Sequence, residues 1–234
     1  MSRFGLGFSG SVNPGNDAFT KVLLHMDGSN GGTSFLDSNL GGSAHTWTPT
    51  SATTSTSAQK FGATSMLTAA GFITTPDSAD FTVGSGDFTI DYWFNANGNA
   101  FGVNKYLAGQ TSVGNVAATT AWDFFATPAG FSFEVFQGGL NVLITGAINF
   151  SGTSSWNHVA AVRNGGTLSL YLNGTVASFT SISGGINDSP ASLSVGRAGD
   201  ATPNPWVGFI DEFRFSVGIA RWVSNFTPPV LQYG

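Results

Sequence analysis

Residues 156–180, WNHVAAVRNGGTLSLYLNGTVASFT, decide the fold. An alternating apolar run over residues 156–163 ends at Asn164, Gly165 and Gly166. Residues 167–172 then place Leu168, Leu170 and Leu172 on one face and Ser169 and Tyr171 on the other, the period-two signature of a strand. Asn173 and Gly174 supply the two positive-φ positions of a tight hairpin turn, and a third run follows to Thr180. Three consecutive antiparallel strands are therefore expected here.

The same pattern extends outward in both directions. Residues 88–95, FTIDYWFN, set Phe88, Ile90, Tyr92 and Phe94 against Thr89, Asp91, Trp93 and Asn95. Shorter strands are expected at 21–26, 46–48, 72–75, 106–110, 121–126, 131–136, 142–145, 193–195 and 208–216. One helical turn is expected at 219–224, stopped by Pro228 and Pro229. No long 3.6-period apolar stripe occurs. About twelve strands at regular spacing predict an all-β sandwich of two antiparallel sheets.

Composition narrows the function classes. Only 9% of the 234 residues are charged and 13% are aromatic, which excludes a disordered chain. The net charge of −5, with scattered basic residues, gives no electrostatic footprint for nucleic acid. With no Cys, disulfides and thiolate metal sites are excluded. No apolar run approaches the roughly 18 residues of a membrane span, and the N-terminus shows no signal-peptide core. Residues 1–19 are rich in Gly, Ser and Asn and read as a flexible arm or linker, leaving 20–234 as the domain.

Candidate chemistry is sparse. Gly5, Gly7 and Gly10 match a dinucleotide fingerprint by letters, but without its strand-to-helix context they read as part of the arm. No His spacing suits a metal and no G-x-S-x-G occurs. The only two Glu, Glu134 and Glu212, lie on separate strands, and no paired acidic motif accompanies Asp91 or Asp123, so no catalytic residues are assigned. Asp211 alternates with Phe209, Phe213 and Phe215, which would put a carboxylate on an apolar face. Such a group caps loop amides, pairs with Arg214 or Arg163, or binds a cation. Calcium suits oxygen-only sites, with Asp27 as second ligand. Trp206, in a loop bounded by Pro203 and Pro205 beside Asn204, is a candidate for stacking on a sugar or folds back over the sheet edge; Trp122 is a further candidate.

Six blocks in order resemble the laminin-G-like members of the concanavalin A-like lectin/glucanase superfamily: KVLLHMDG (21–28), DSADF (77–81), GDFTIDYW (86–93), WNHVAAVR (156–163), LSLYLNG (168–174) and GFIDEFRF (208–215). The ending VGIARWVSNFTPP (217–229) resembles the variant found in tailed-bacteriophage structural proteins. The resemblance implies a jelly roll, with calcium in some members near positions matching Asp27 and Asp211. It lacks the Glu-rich strand of the glucanase branch. The function it implies is a non-enzymatic virion surface protein, a head decoration or fibre component, without a signal peptide. Its expected partners are other virion proteins through the arm, further copies in a homo-oligomer, and a host or environmental glycan, with no membrane insertion. A lectin outside a virion and a polysaccharide hydrolase are the alternatives.

Overall fold

The structure is a computed structural model and describes residues 15–112, 116–128, 130–150, 152–199 and 203–234. The glycine motif at 5–10 and most of the expected arm lie outside the described residues. Fifteen strands form among the described residues. They are β1 (Thr20–Leu24), β2 (Thr48–Thr50), β3 (Thr53–Ser55), β4 (Ser65–Leu67), β5 (Phe72–Thr75), β6 (Phe88–Asn95), β7 (Lys105–Gly109) and β8 (Trp122–Thr127). The remainder are β9 (Gly130–Gln137), β10 (Leu140–Ala147), β11 (Trp156–Asn164), β12 (Thr167–Leu172), β13 (Thr175–Ser181), β14 (Leu193–Val195) and β15 (Phe209–Val217). One 3-10 turn (Ala79–Phe81) interrupts them, capped by the Ser78 side chain on the Asp80 amide. The helical turn expected at 219–224 is instead extended chain with bends, for a reason given below.

The strands build two antiparallel sheets. One runs β13-β12-β11-β6-β15-β4-β3 with β1 also on β15; the other runs β10-β9-β8-β7-β14-β5-β2. The hairpin read at 156–180 is β11-β12-β13, turning at Asn173 (φ 51°) and Gly174 (φ 78°). Strand β13 then breaks regular pairing at Leu170/Tyr171. Phe88, Ile90, Tyr92 and Phe94 point into the core between the sheets, where Phe124, Phe131, Phe133, Phe213 and Phe215 meet them. Every residue of β6 is buried, so its outer face is covered as well.

The core absorbs two residues that were candidates for surface recognition. Trp206 is 0% exposed and packs on Phe94, Phe101 and Phe150. Trp122 is 1% exposed and packs on Phe124, Phe133 and Phe215. Neither can stack on a sugar. Trp206 folds inward because its loop rejoins the sheet, with its amide bonded to the Gly196 carbonyl and its carbonyl accepting from Thr68 Oγ1.

The parity expected for Asp211 also fails, at a β-bulge. Glu212 takes φ 51°, and the pairing of β15 with β6 shifts between Asp211 and Arg214. The extra residue puts Ile210, Phe213 and Phe215 in the core while Asp211 and Arg214 stand on the outer face, opposite Trp93 and Asp91. Asp211 is buried, but not among the core phenylalanines.

Candidate functional site

The chain after β15 lies as a strap across the outer face of the larger sheet. Gly218 (φ 88°) turns it back, and its amide donates to the Asp87 carbonyl. Thr89 Oγ1 donates to the Ile219 carbonyl and accepts from the Arg221 amide. Asn225 Oδ1 accepts from the Val176 amide, and the Phe226 amide donates to the Gly174 carbonyl. Trp222 and Phe226, at i and i+4, stack face to face at 4.0 Å and cover Ala160, Val162 and Tyr171. These tethers to the sheet hold 219–224 extended, which is why the helical turn does not form.

Beneath the strap lies a buried polar knot. Asp91 Oδ1 accepts from Arg214 Nε at 2.8 Å, and Oδ2 accepts from the Tyr233 hydroxyl at 2.6 Å. Arg214 also donates to the Gly15 carbonyl and the Tyr233 hydroxyl. His158 Nε2 lies 3.4 Å from Asp91, and its ring is walled by Trp93, Trp222 and Phe226. Burial pushes the Asp91 carboxyl up, but Arg214 and His158 outweigh it and hold the group below its ordinary value. Burial pushes the His158 imidazole down. Tyr233 is pushed well up by burial and by the Asp91 charge, so its hydroxyl stays a donor.

Between strap and knot is a cavity of about 440 Å³. Its lining combines apolar Ile219, Trp222, Pro228 and Val230 with polar Arg214, Arg221, Tyr233 and Thr227. Arg221 is fixed by Ser216 Oγ at 2.8 Å and by Asp17, whose oxygens lie 2.8 and 3.2 Å from the two Nη atoms. Residues 15–17, expected to belong to the arm, are thus bonded to both guanidiniums of the cavity. A second cavity of about 430 Å³ at Thr33, Phe35 and Trp47 has its charged groups paired internally, His45 Nδ1 lying 2.8 Å from Asp37.

The two metal candidates do converge, on one loop. Asp27 Oδ1 accepts from the amides of Ala63 and Thr64, and Oδ2 from Gln232 Nε2. Asp211 Oδ2 accepts from the amides of Lys60 and Phe61, and Oδ1 from the Glu212 amide. Burial pushes the Asp211 carboxyl well above its ordinary range, and Glu212 and Asp27 add to this. Calcium takes six to eight oxygens, whereas each of these four oxygens faces at least one N–H. The bonds are those of loop capping, the other reading open for Asp211. Among the described residues no group of three or more His, Asp or Glu is placed to hold a metal ion.

Glu212, Asp123 and Glu134 each have partners within the protein. Glu212 bonds His25 Nδ1 at 2.7 Å and the Tyr233 amide. Asp123 and Glu134 are cross-strand neighbours on β8 and β9, on the outer face of the smaller sheet. Burial, then the neighbouring Glu134 carboxylate, pushes Asp123 well above the usual carboxylate range. Glycosidases need two carboxyls roughly 5–9.5 Å apart, with room for sugar or water between them. Asn204 is exposed, its carbonyl accepting from the Tyr106 amide, and it does not line the strap cavity. Sequence reasoning missed Trp222 and Tyr233. The i, i+4 aromatic pair ahead of Pro228 and Pro229 was the available signal.

A family model described as the concanavalin A-like lectin/glucanases superfamily matches residues 67–218. No curated protein matches the sequence. Among solved structures, the binding domain of Paraclostridial Mosquitocidal Protein 1 superimposes with a TM-score of 0.65 at 14% identity, over 86% of this chain and 49% of that one. The binding domain of Botulinum Neurotoxin DC in complex with SialylT gives 0.64 at 12%, over 86% and 48%. The botulinum neurotoxin serotype C1 binding domain gives 0.61 at 13%, over 86% and 49%. The chain spans about half the length of these chains, and at such identities the likeness is one of fold.

Proposed function

Because this chain belongs to the concanavalin A-like lectin/glucanase superfamily, we propose that it is a non-enzymatic, lectin-like binding module that takes a saccharide in the strap cavity. The observation that carries the reading is that the cavity's lining combines apolar side chains with guanidinium donors. A sugar ring has the matching character, with C–H groups for Ile219, Trp222 and Pro228 and hydroxyls for the unused guanidinium N–H groups. The donors are preorganised by Asp91, Asp17 and Ser216, so little side-chain entropy is lost on binding. The strap lies beyond the residues matched by the family model, so this site is argued from its own geometry.

The setting we propose is the surface of a tailed-bacteriophage virion, with the module docked through its N-terminal residues as a homo-oligomer. The phage-like ending at 217–229 and the low charge support it. Quantitative mass spectrometry of purified particles tests it. Hundreds of copies per particle indicate a head decoration, and a few to a few dozen indicate a tail or fibre component. Absence from particles removes the virion and leaves a free lectin.

A further inference from the structure

We infer that the strap cavity selects saccharides that carry a carboxylate, such as uronic or sialic acids. This rests on the saccharide reading above and narrows it to a class. The chain as a whole has 13 acidic residues against 8 basic ones. The cavity wall reverses that balance, with two guanidiniums and no Asp or Glu among its lining residues.

The unused donors of the two lining guanidiniums are the deciding feature. A guanidinium has five N–H groups. Arg214 uses three, on Asp91, the Gly15 carbonyl and the Tyr233 hydroxyl. Arg221 uses four, on Ser216, Thr20 and both oxygens of Asp17. One N–H on each terminal nitrogen of Arg214 and one on Nη1 of Arg221 remain; Arg214 is buried and Arg221 half-buried, so Arg221 offers the more accessible donor. Asp91 and Asp17 already balance the two charges, so the selectivity arises from these unused donors rather than from net positive potential. Charge-assisted bonds from guanidinium to carboxylate are about twice as strong as bonds to a neutral hydroxyl. Asp17 displays the geometry within the protein itself, one carboxylate across both terminal nitrogens of Arg221, with its side chain 44% exposed. Trp222, Pro228 and Val230 supply the apolar contact for the ring that bears the acid.

Glucuronate and glucose differ only in the carboxylate at C6, so they make the test. The full chain is titrated with glucuronate, glucose and acetate by heteronuclear NMR, following the indole N–H of Trp222 and the side chains of Arg214 and Arg221. The expected result is glucuronate binding about tenfold tighter than glucose, weakened as NaCl rises to about 0.3 M, with acetate weaker still. A Val230→Glu variant places an acid at an exposed rim position. It should weaken glucuronate several-fold more than glucose, because both sugars lose the Val230 contact and only glucuronate meets a like charge. Equal binding of glucose and glucuronate overturns the carboxylate preference and leaves the saccharide reading standing. Acetate binding as tightly as glucuronate overturns the saccharide reading and keeps an anion site. No shift with any of the three overturns both.

Discussion

Replacing Asp91 by Asn should remove a large share of the domain's stability while leaving its volume unchanged. Asp91 is 0% exposed and Arg214 is 1% exposed, so neither charge can turn to water. The carboxamide oxygen can still accept from Arg214 Nε. Its NH₂, at the position of Oδ2, meets a Tyr233 hydroxyl that already accepts from Arg214 and loses the acceptor for its own proton. The variant therefore holds a buried guanidinium without its counter-charge and a buried hydroxyl without an acceptor. Breaking a buried pair from one side costs about 3–5 kcal/mol. For a domain of this size that is a fall in Tm of roughly 10 °C. Urea unfolding at pH 7, with the slope against denaturant checked for constancy, measures it. A companion double variant, Asp91→Asn with Arg214→Met, should recover part of the loss, because it removes the stranded charge. A loss below about 1 kcal/mol for the single variant, or a double variant worse than the sum of its parts, would refute the reasoning.

Three further outcomes follow from the same geometry. Asp123→Asn should stabilise the protein at pH 7–8. A carboxyl raised by folding contributes stability that is full below its unfolded value and lost as pH rises through its folded value, at about 1.4 kcal/mol per unit of the rise. Thermal melts from pH 3 to 8 should show the variant's gain fading toward pH 4 and below, and a gain independent of pH would contradict the raised Asp123 carboxyl. Melting temperature should be unmoved by EDTA or millimolar calcium, because N–H groups hold the oxygens of Asp27 and Asp211; a rise with calcium would show that the loop rearranges to bind it. Trp206→Ala should cost about 3–5 kcal/mol by denaturant unfolding, as a core truncation does, where a surface residue would cost under about 0.5.

What the sequence made legible was whatever depends on local period. The faces of β6, the hairpin at 156–180 and the sandwich itself follow from alternation and turn chemistry, which act over a few residues. The strands Thr53–Ser55 and Ser65–Leu67 were missed because they are three residues long and too short to display a period. Asp211 shows how one residue defeats a parity argument, since the bulge at Glu212 moves every later side chain to the other face. Trp206 shows that a proline-bounded loop need not be exposed when its backbone bonds return it to the sheet. The strap cavity was hidden for a different reason. Its parts, Asp17, Asp91, Arg214, Trp222 and Tyr233, come from four separate regions of the chain, and only the long-range bonds of the strap bring them together.

The most direct test of a saccharide site under the strap is a glycan screen of the full chain beside a Thr227→Met variant. Thr227 is exposed and lines the cavity, so the longer side chain obstructs the site without disturbing the core. The account predicts binding to a restricted set of glycans by the native chain and its loss in the variant at unchanged melting temperature. Glycan binding that survives the obstruction, or no glycan bound by the native chain, would contradict it.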